Sequence, residues 1–199
     1  MQRIHTLFAE PVSINENLNI DNKLLLDDLQ GVKLAELKKK GNFLSESLYI
    51  LNKINYGEHL KQIFSERIKK NFKDLGYNTS FTINTSWLTS VKPHTEGEFH
   101  YHANHWWSGC YYPSQFKKRM FITFKRLNNF MINPKVENYN CFNCNEVSLE
   151  IQEGTLLLFP SYIEHKIGYN DSDKNRISLA FNIKPLGPAG NADSEYWYE

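Results

Sequence analysis

Gly97-Glu-Phe-His-Tyr-His-Ala-Asn-His-Trp-Trp-Ser-Gly-Cys-Tyr-Tyr112 holds three of the chain's seven histidines within six residues. His100 and His102 stand two apart, and on an extended strand residues i and i+2 project from the same face. Two imidazoles on one strand face are half of a metal site, so the stretch predicts strands wrapped around a liganded interior. The other half has to come from a distant strand. His165 ends the run Gly154-Thr-Leu-Leu-Leu-Phe-Pro-Ser-Tyr-Ile-Glu-His165, and Arg176-Ile177-Ser178 begins eleven positions later.

Moving outward from this stretch, the second half of the chain reads as strands. From Thr79 the positions Phe81, Ile83, Thr85 and Trp87 alternate with their neighbours as a half-buried strand does. Further strands are expected over about 98–103, 107–113, 119–127, 147–152, 155–160 and 175–184, separated by Gly, Pro, Asn and Asp. Seven or eight short strands suggest a sandwich or jelly roll. In the last strong strand, Ile177, Leu179, Phe181 and Ile183 form one wholly apolar face, while Arg176, Ser178, Ala180 and Asn182 form the other. The apolar face needs a core to pack on. For the second face, periodicity leaves a liganded interior and solvent equally open.

The first half reads as helical. Leu25, Leu29, Val32 and Leu37 space a helix over about Lys23 to Lys40, weakened by Gly31 and ended by Gly41. A stronger helix is expected from Tyr56 to Leu75, with Leu60, Ile63, Phe64, Ile68 and Phe72 on one side, lysines opposite and Gly76 as the stop. Residues 1–22 suggest an edge strand and a loop. Helices gathered at the front of the sequence are expected to pack on one sheet, giving an α+β arrangement. One domain over 1–199 is expected: a helical support over 1–78, a β core over 79–185 and a tail over 186–199. Tyr196-Trp197-Tyr198 in that tail is expected to dock on its own chain or on a second copy, in a homodimer. Residues 128–146 read as a loop long enough to cover the mouth of a site.

Composition narrows the partners. Hydrophobic residues at 41% and charged ones at 23% fit a folded globular chain rather than a disordered one. Lys and Arg number 23 against 22 acidic residues, so a net charge of +1 offers no field to capture nucleic acid or anionic membrane. A small molecule or a side chain is the favoured substrate. No apolar run approaches the roughly 20 residues that span a bilayer, and Met1-Gln-Arg-Ile-His-Thr6 lacks a signal peptide's hydrophobic core. Cys110, Cys141 and Cys144 are too few for a disulfide framework. A cytoplasmic location is expected. Cys141-Phe-Asn-Cys144 has the spacing of a zinc half-site, but with no second such pair two loop thiols are the favoured reading.

Imidazole suits zinc, copper, nickel and ferrous iron, and three protein ligands with open positions are what a catalytic metal needs. His100, His102 and His165 would supply three. Arg176 offers a planar fork for a carboxylate, and Ser178 can add a hydroxyl from the same strand face. A metal beside a carboxylate clamp implies a cosubstrate that carries a carboxylate.

His100-x-His102, the segment Trp106-Trp-Ser-Gly-Cys-Tyr-Tyr112, Gly154-Thr-Leu-Leu-Leu-Phe-Pro-Ser161, His165 and Asn175-Arg-Ile-Ser-Leu-Ala-Phe-Asn182 together resemble the 2-oxoglutarate and Fe(II)-dependent oxygenases. The likeness covers about residues 80–185 and is closest to a branch found in marine bacteria and phages. It implies a double-stranded β-helix, which is a jelly roll. It also implies Fe(II), 2-oxoglutarate and O2 as cofactor and cosubstrates, with oxidative decarboxylation of 2-oxoglutarate to succinate coupled to hydroxylation of a substrate. By resemblance His100 and His165 are the iron-binding histidines, Arg176 pairs with the distal carboxylate of 2-oxoglutarate, and Tyr112 helps to hold it.

One position departs from the pattern. The family's facial triad has a carboxylate two residues after its first histidine, where this chain has His102. Three readings compete: a three-histidine site, which is favoured; a carboxylate recruited from Glu98 or Glu164; or a shifted frame with His102 first and Asn104 second. Two other classes stay open. A cupin shares the jelly roll, the His-x-His pair and the Gly154 to Pro160 spacing, but wants a glycine at Tyr162 and a glutamate soon after His102. A non-catalytic jelly-roll binding protein would keep the histidines without turnover. His94 and His105 are spare imidazoles; His105 with Trp106 and Trp107 would line a substrate mouth, or the two tryptophans would be core.

Overall fold

The strand expected around Ile177 lies at the centre of the computed structural model, which describes residues 2–114, 119–127, 132 and 134–199. This strand, β10 (Arg176–Ala189), pairs antiparallel with β4 (Ser80–Val91) on one side and β5 (Trp107–Tyr112) on the other. Outward from β5 come β8 (Thr155–Pro160) and the edge strand β1 (Ser13–Asn15); outward from β4 come β3 (Asn42–Ser45) and β2 (Leu34–Glu36). A second sheet has the order β7 (Glu146–Ile151), β6 (Met120–Lys125), β9 (Glu164–Ile167). Mostly antiparallel sheets with two helices agree with the jelly roll read from the sequence.

The alternation along the central strands sends their side chains to two different places. Leu179, Phe181 and Ile183 of β10 join Trp107 and Tyr111 of β5 and Leu156 and Leu158 of β8 in one buried cluster. Helix α2 (Gly57–Asp74) completes that cluster with Leu60, Phe64, Ile68 and Phe72, and Phe64 stacks on Phe181 with ring centroids 5.0 Å apart. The opposite faces contribute Ala180, Cys110, Tyr112, Leu157 and Phe159 to a second cluster, shared with Met120, Ile122 and Phe124 of β6 and Ile151 of β7. The two sheets therefore meet through this second cluster, and a site between them sees one face of each.

α2 ends where the sequence places its stop. Gly76 has φ +83°, its N–H bonds to Lys73 O and the Tyr77 N–H bonds back to Phe72 O at 2.8 Å, which satisfies carbonyls the helix leaves open.

Two expectations are corrected. The helix expected over Lys23 to Lys40 stops early: α1 is Asn22–Leu29, and the remainder forms the β2–β3 hairpin. Val32 and Leu37 fall at helical spacing, but Gly31 breaks the run, and Gly41 (φ +80°) makes the hairpin turn against Thr95. Pairing with β4 outweighs a weak helical pattern. The strand expected over 98–103 is a single bridge, His100 to His165. From Thr79 onward the described residues form eight strands, as the sequence suggests, and β1 is the edge strand expected within residues 1–22. β11 (Tyr196–Tyr198) pairs with the end of β10, so the tail docks on its own chain. The loop expected over 128–146 lies partly outside the described residues.

Candidate metal centre

His165 is the second residue of the second sheet's edge strand β9, and His100 reaches it through a reciprocal pair of backbone hydrogen bonds, His100 N to His165 O at 3.0 Å and His165 N to His100 O at 2.9 Å. Two residues on, the His102 N–H bonds to Ser161 O at 2.9 Å, just past β8. These three bonds hold His100-Tyr-His102 extended across the open end of both sheets. One ring nitrogen from each of His100, His102 and His165 lies within 4.8 Å of the other two. Among the described residues this is the one such group of three, and it contains no carboxylate. Glu164 is engaged with Lys125 at 3.3 Å. Glu98 lines the adjoining cavity, Asn104 turns away at φ 63°, and His94 is not part of the cluster.

The hydrogen bonds also decide which nitrogen each ring offers. Nδ1 of His100 meets the Glu98 carbonyl at 2.9 Å and Nδ1 of His165 meets the Ile163 carbonyl at 2.9 Å; a carbonyl only accepts, so both Nδ1 atoms carry the proton. Nδ1 of His102 lies 2.7 Å from Asn182 Oδ1 and 2.8 Å from Ser108 Oγ. Ser108 Oγ itself donates to Asn182 Oδ1 at 2.8 Å and contacts Ser161 Oγ at 2.7 Å, while Asn182 Nδ2 is held by Thr85. His102 is thus a donor at Nδ1 as well. With Nδ1 of each ring donating, Nε2 is the nitrogen left to face the shared space, which is the arrangement outer partners impose on metal-binding histidines. Burial, with His100 close by, lowers the pKa of His102 to about 4 and of His165 to about 3, so both are neutral at pH 7.

Below the histidines a cavity of about 510 Å³ runs between the sheets. On its floor the register of β5 and β10 sets Ser108 opposite Asn182 and Cys110 opposite Ala180; Tyr112 and Ser178 line the cavity one pair further on. Arg176 does not line this cavity. It is 2% exposed beyond Tyr112 and Ser178, donates through Nη2 to the Gly168 carbonyl, and leaves Nε buried without a partner. Burial lowers its pKa to about 10, so it stays charged, and no ion pair to it occurs among the described residues. The Tyr112 hydroxyl is buried without a partner too, and burial raises its pKa. A buried guanidinium with its Nε unpaired and a buried hydroxyl without a partner are groups that an anionic ligand could satisfy.

Other sequence readings resolve differently. Trp106 and Trp107 do not line the mouth: both pack on Phe72 of α2, with ring centroids at 4.5 and 5.6 Å. His105 does line the cavity. The tryptophan of the site is Trp87 on β4, whose ring meets His102 edge to face at 5.1 Å. Nothing singled it out in the sequence except its place on a strand that pairs with β10, where it stands opposite Ala180. Cys141 and Cys144 are free thiols on a turn.

A jelly roll with a triple-imidazole cluster at its open end and a buried basic group deeper inside is the architecture of a metal-dependent oxygenase. Residues 85–182 match the family described as "Putative 2OG-Fe(II) oxygenase". The chain belongs to the 2-oxoglutarate and Fe(II)-dependent oxygenases. No curated protein matches it in sequence. Among solved structures it is similar to a 2OG-Fe(II) oxygenase family oxidoreductase from Burkholderia pseudomallei, 12% identical with a TM-score of 0.57 over 87% of this chain and 84% of that one. A prolyl-4-hydroxylase from Pseudomonas putida is 11% identical with a TM-score of 0.61, over 88% and 93%. The epimerase SnoN, solved with Fe3+, alpha ketoglutarate and nogalamycin RO, is 10% identical with a TM-score of 0.66, over 89% and 80%.

Proposed function

We propose that this chain couples the oxidative decarboxylation of 2-oxoglutarate to the hydroxylation of a small molecule or side chain. His100, His102 and His165 hold Fe(II), and Arg176, Ser178 and Tyr112 hold the distal carboxylate of 2-oxoglutarate. The observation that carries this reading is the pairing of three bare Nε2 atoms with a buried Arg176 that lacks a counter-charge. The donor set fits ferrous iron, for which neutral imidazole is a suitable ligand, and three ligands leave positions for a chelating cosubstrate and O2. The metal and alpha ketoglutarate present in the SnoN structure support the same assignment. When bound, iron with 2-oxoglutarate and O2 supplies an oxidant able to place oxygen into a C–H bond while 2-oxoglutarate becomes succinate and CO2.

The chain's own residues bind and orient. Asn182 and Ser108 fix the His102 ring, the Glu98 and Ile163 carbonyls fix the other two, and the buried pair Tyr112 and Arg176 draws the carboxylate to the closed end of the cavity. In this reading the chain is one cytoplasmic domain whose catalytic core is 79–185; among the described residues no helix is long and apolar enough to cross a membrane.

Anaerobic titration with Fe(II) and then 2-oxoglutarate tests the proposal. A visible charge-transfer band that needs both additions is expected, followed by succinate on admission of air. Arg176→Ala should weaken 2-oxoglutarate binding far more than metal binding, and His102→Ala should abolish the band. Equal loss of both ligands in Arg176→Ala, or no band in the wild-type protein, would overturn the assignment.

A further inference from the structure

The segment that matches the family, 85–182, supplies the histidines and the cavity floor, but it does not supply the whole cavity. Leu37, Leu44 and Leu48, from the β2–β3 hairpin and the residues after it, also line it, facing Trp87 and Phe99. Leu37, just after β2, and Leu48, after β3, are each 45% exposed, so their side chains are within reach of a molecule in the cavity. The hairpin is fastened to the segment leading to His100: Lys39 Nζ donates to the Gly97 carbonyl at 3.0 Å and Asn42 Nδ2 to the Glu96 carbonyl at 3.1 Å. The apolar wall therefore stands at a fixed place over the metal centre.

The charges around this mouth are spent on each other. Glu96 takes Lys166 at 3.0 Å and Lys39 at 3.7 Å, and Lys125 takes Glu164 at 3.3 Å. Lys125 and Lys166 also cover the Phe99 ring, at 5.4 and 5.1 Å from its centroid, and Lys39, the lysine that lines the cavity, is held by Glu96 and the Gly97 carbonyl. Glu98 is the one acidic residue lining the cavity among those described, and it repels anions. A cavity of about 510 Å³ lies in the range that buries a compact organic ligand, and part of it is taken by the cosubstrate.

We infer that the substrate is an uncharged small molecule with a largely apolar body, an aliphatic or aromatic ring system, held by Leu37, Leu44, Leu48, Trp87 and Phe99 with its C–H bond toward the histidines. This inference rests on the proposed oxygenase function and deepens it. It places part of substrate choice in residues 34–48, outside the segment that matches the family, and it disfavours sugars and amino-acid anions, whose many polar groups would outnumber the partners that Asn42, Thr85 and Thr89 offer beside the leucines.

Saturation-transfer NMR on the metal-free protein with indole, cyclohexanol, glucose and glutamate reads the wall without the metal. Indole and cyclohexanol should receive saturation and the other two should not. Leu37→Asp, at an exposed hairpin position that leaves folding intact, and Leu44→Asp should each weaken the indole signal at least tenfold. With Mn(II) and 2-oxoglutarate bound, indole protons should also broaden relative to a Zn(II) control. Saturation of glucose or glutamate in place of indole, or an indole signal unchanged in Leu37→Asp, would overturn the inference even where the charge-transfer band forms. Loss of that band with indole binding intact would overturn the oxygenase reading instead.

Discussion

Asn182 is the most informative residue to change, because it lies outside the triple-imidazole cluster yet decides which nitrogen His102 can offer. Its Oδ1 accepts from His102 Nδ1 at 2.7 Å and from Ser108 Oγ at 2.8 Å. In Asn182→Ala the imidazole keeps Ser108 as a neighbour, but Ser108 loses the acceptor for its own proton and can turn that proton toward Nδ1. The ring then has reason to adopt the other tautomer, which puts hydrogen on Nε2 and removes a metal ligand. Losing an outer partner of a metal-binding histidine costs about 10–100-fold in affinity, or about 1.4–2.7 kcal/mol. Asn182→Ala should fall near the upper figure, and Asn182→Ala with Ser108→Ala, which removes the competing donor, near the lower one. Asn182→Asp, whose carboxylate accepts the same proton, should bind at least as tightly as wild type. Calorimetric titration with Ni(II), beside a denaturant midpoint to show that the fold is intact, measures this directly. A folded Asn182→Ala that binds Ni(II) as tightly as wild type would refute the claim that this network sets the His102 ring.

Three further outcomes are expected. A Cβ on Gly109 would lie 2.1 Å from Phe181 Cζ, inside the cluster that α2 closes, so Gly109→Ala should lower stability by about 3 kcal/mol, seen as a lower denaturant midpoint with an unchanged slope. Burial pushes the Cys110 thiol up to about 11, so at pH 8 only about one molecule in a thousand carries the thiolate; Ellman's reagent should titrate two thiols in the native protein, Cys141 and Cys144, and the third only on unfolding. Glu98→Gln should weaken Ni(II) binding by less than about fivefold, as suits an exposed carboxylate, and the loss should shrink in high salt.

The parts of the fold legible in the sequence are those long enough to show a period. α2 repeats its apolar residues over eighteen positions, and β10 alternates over enough of its length to mark a core face, though its period alone left the other face open between an interior and solvent. β2, β3 and β9 have three or four residues each, too few for any pattern to outvote the helical spacing around Leu25 and Leu29. At the site, His100, His102 and His165 were legible because a same-face pair and a distant third are rare, and one bridge with no strand sufficed to align them. Trp87 was not, since its role comes from standing opposite Ala180 in the neighbouring strand, a register that no single stretch of sequence contains.

The third histidine and the apolar wall are linked by charge. A facial triad with a carboxylate, a divalent metal, a dianionic cosubstrate and one buried arginine together carry no net charge. With His102 in the carboxylate's place the same set keeps one positive charge, and a low-dielectric cavity makes that costly. Glu98 lines the same cavity and holds the His100 ring through its backbone carbonyl, so its side chain can restore neutrality without occupying a coordination position. Once Glu98 is counted, the metal, Arg176 and the cosubstrate leave nothing for a substrate to balance. A charged substrate would unbalance this set, whereas an uncharged, apolar one would not, which agrees with the substrate class inferred above from the leucines of the β2–β3 region and Trp87.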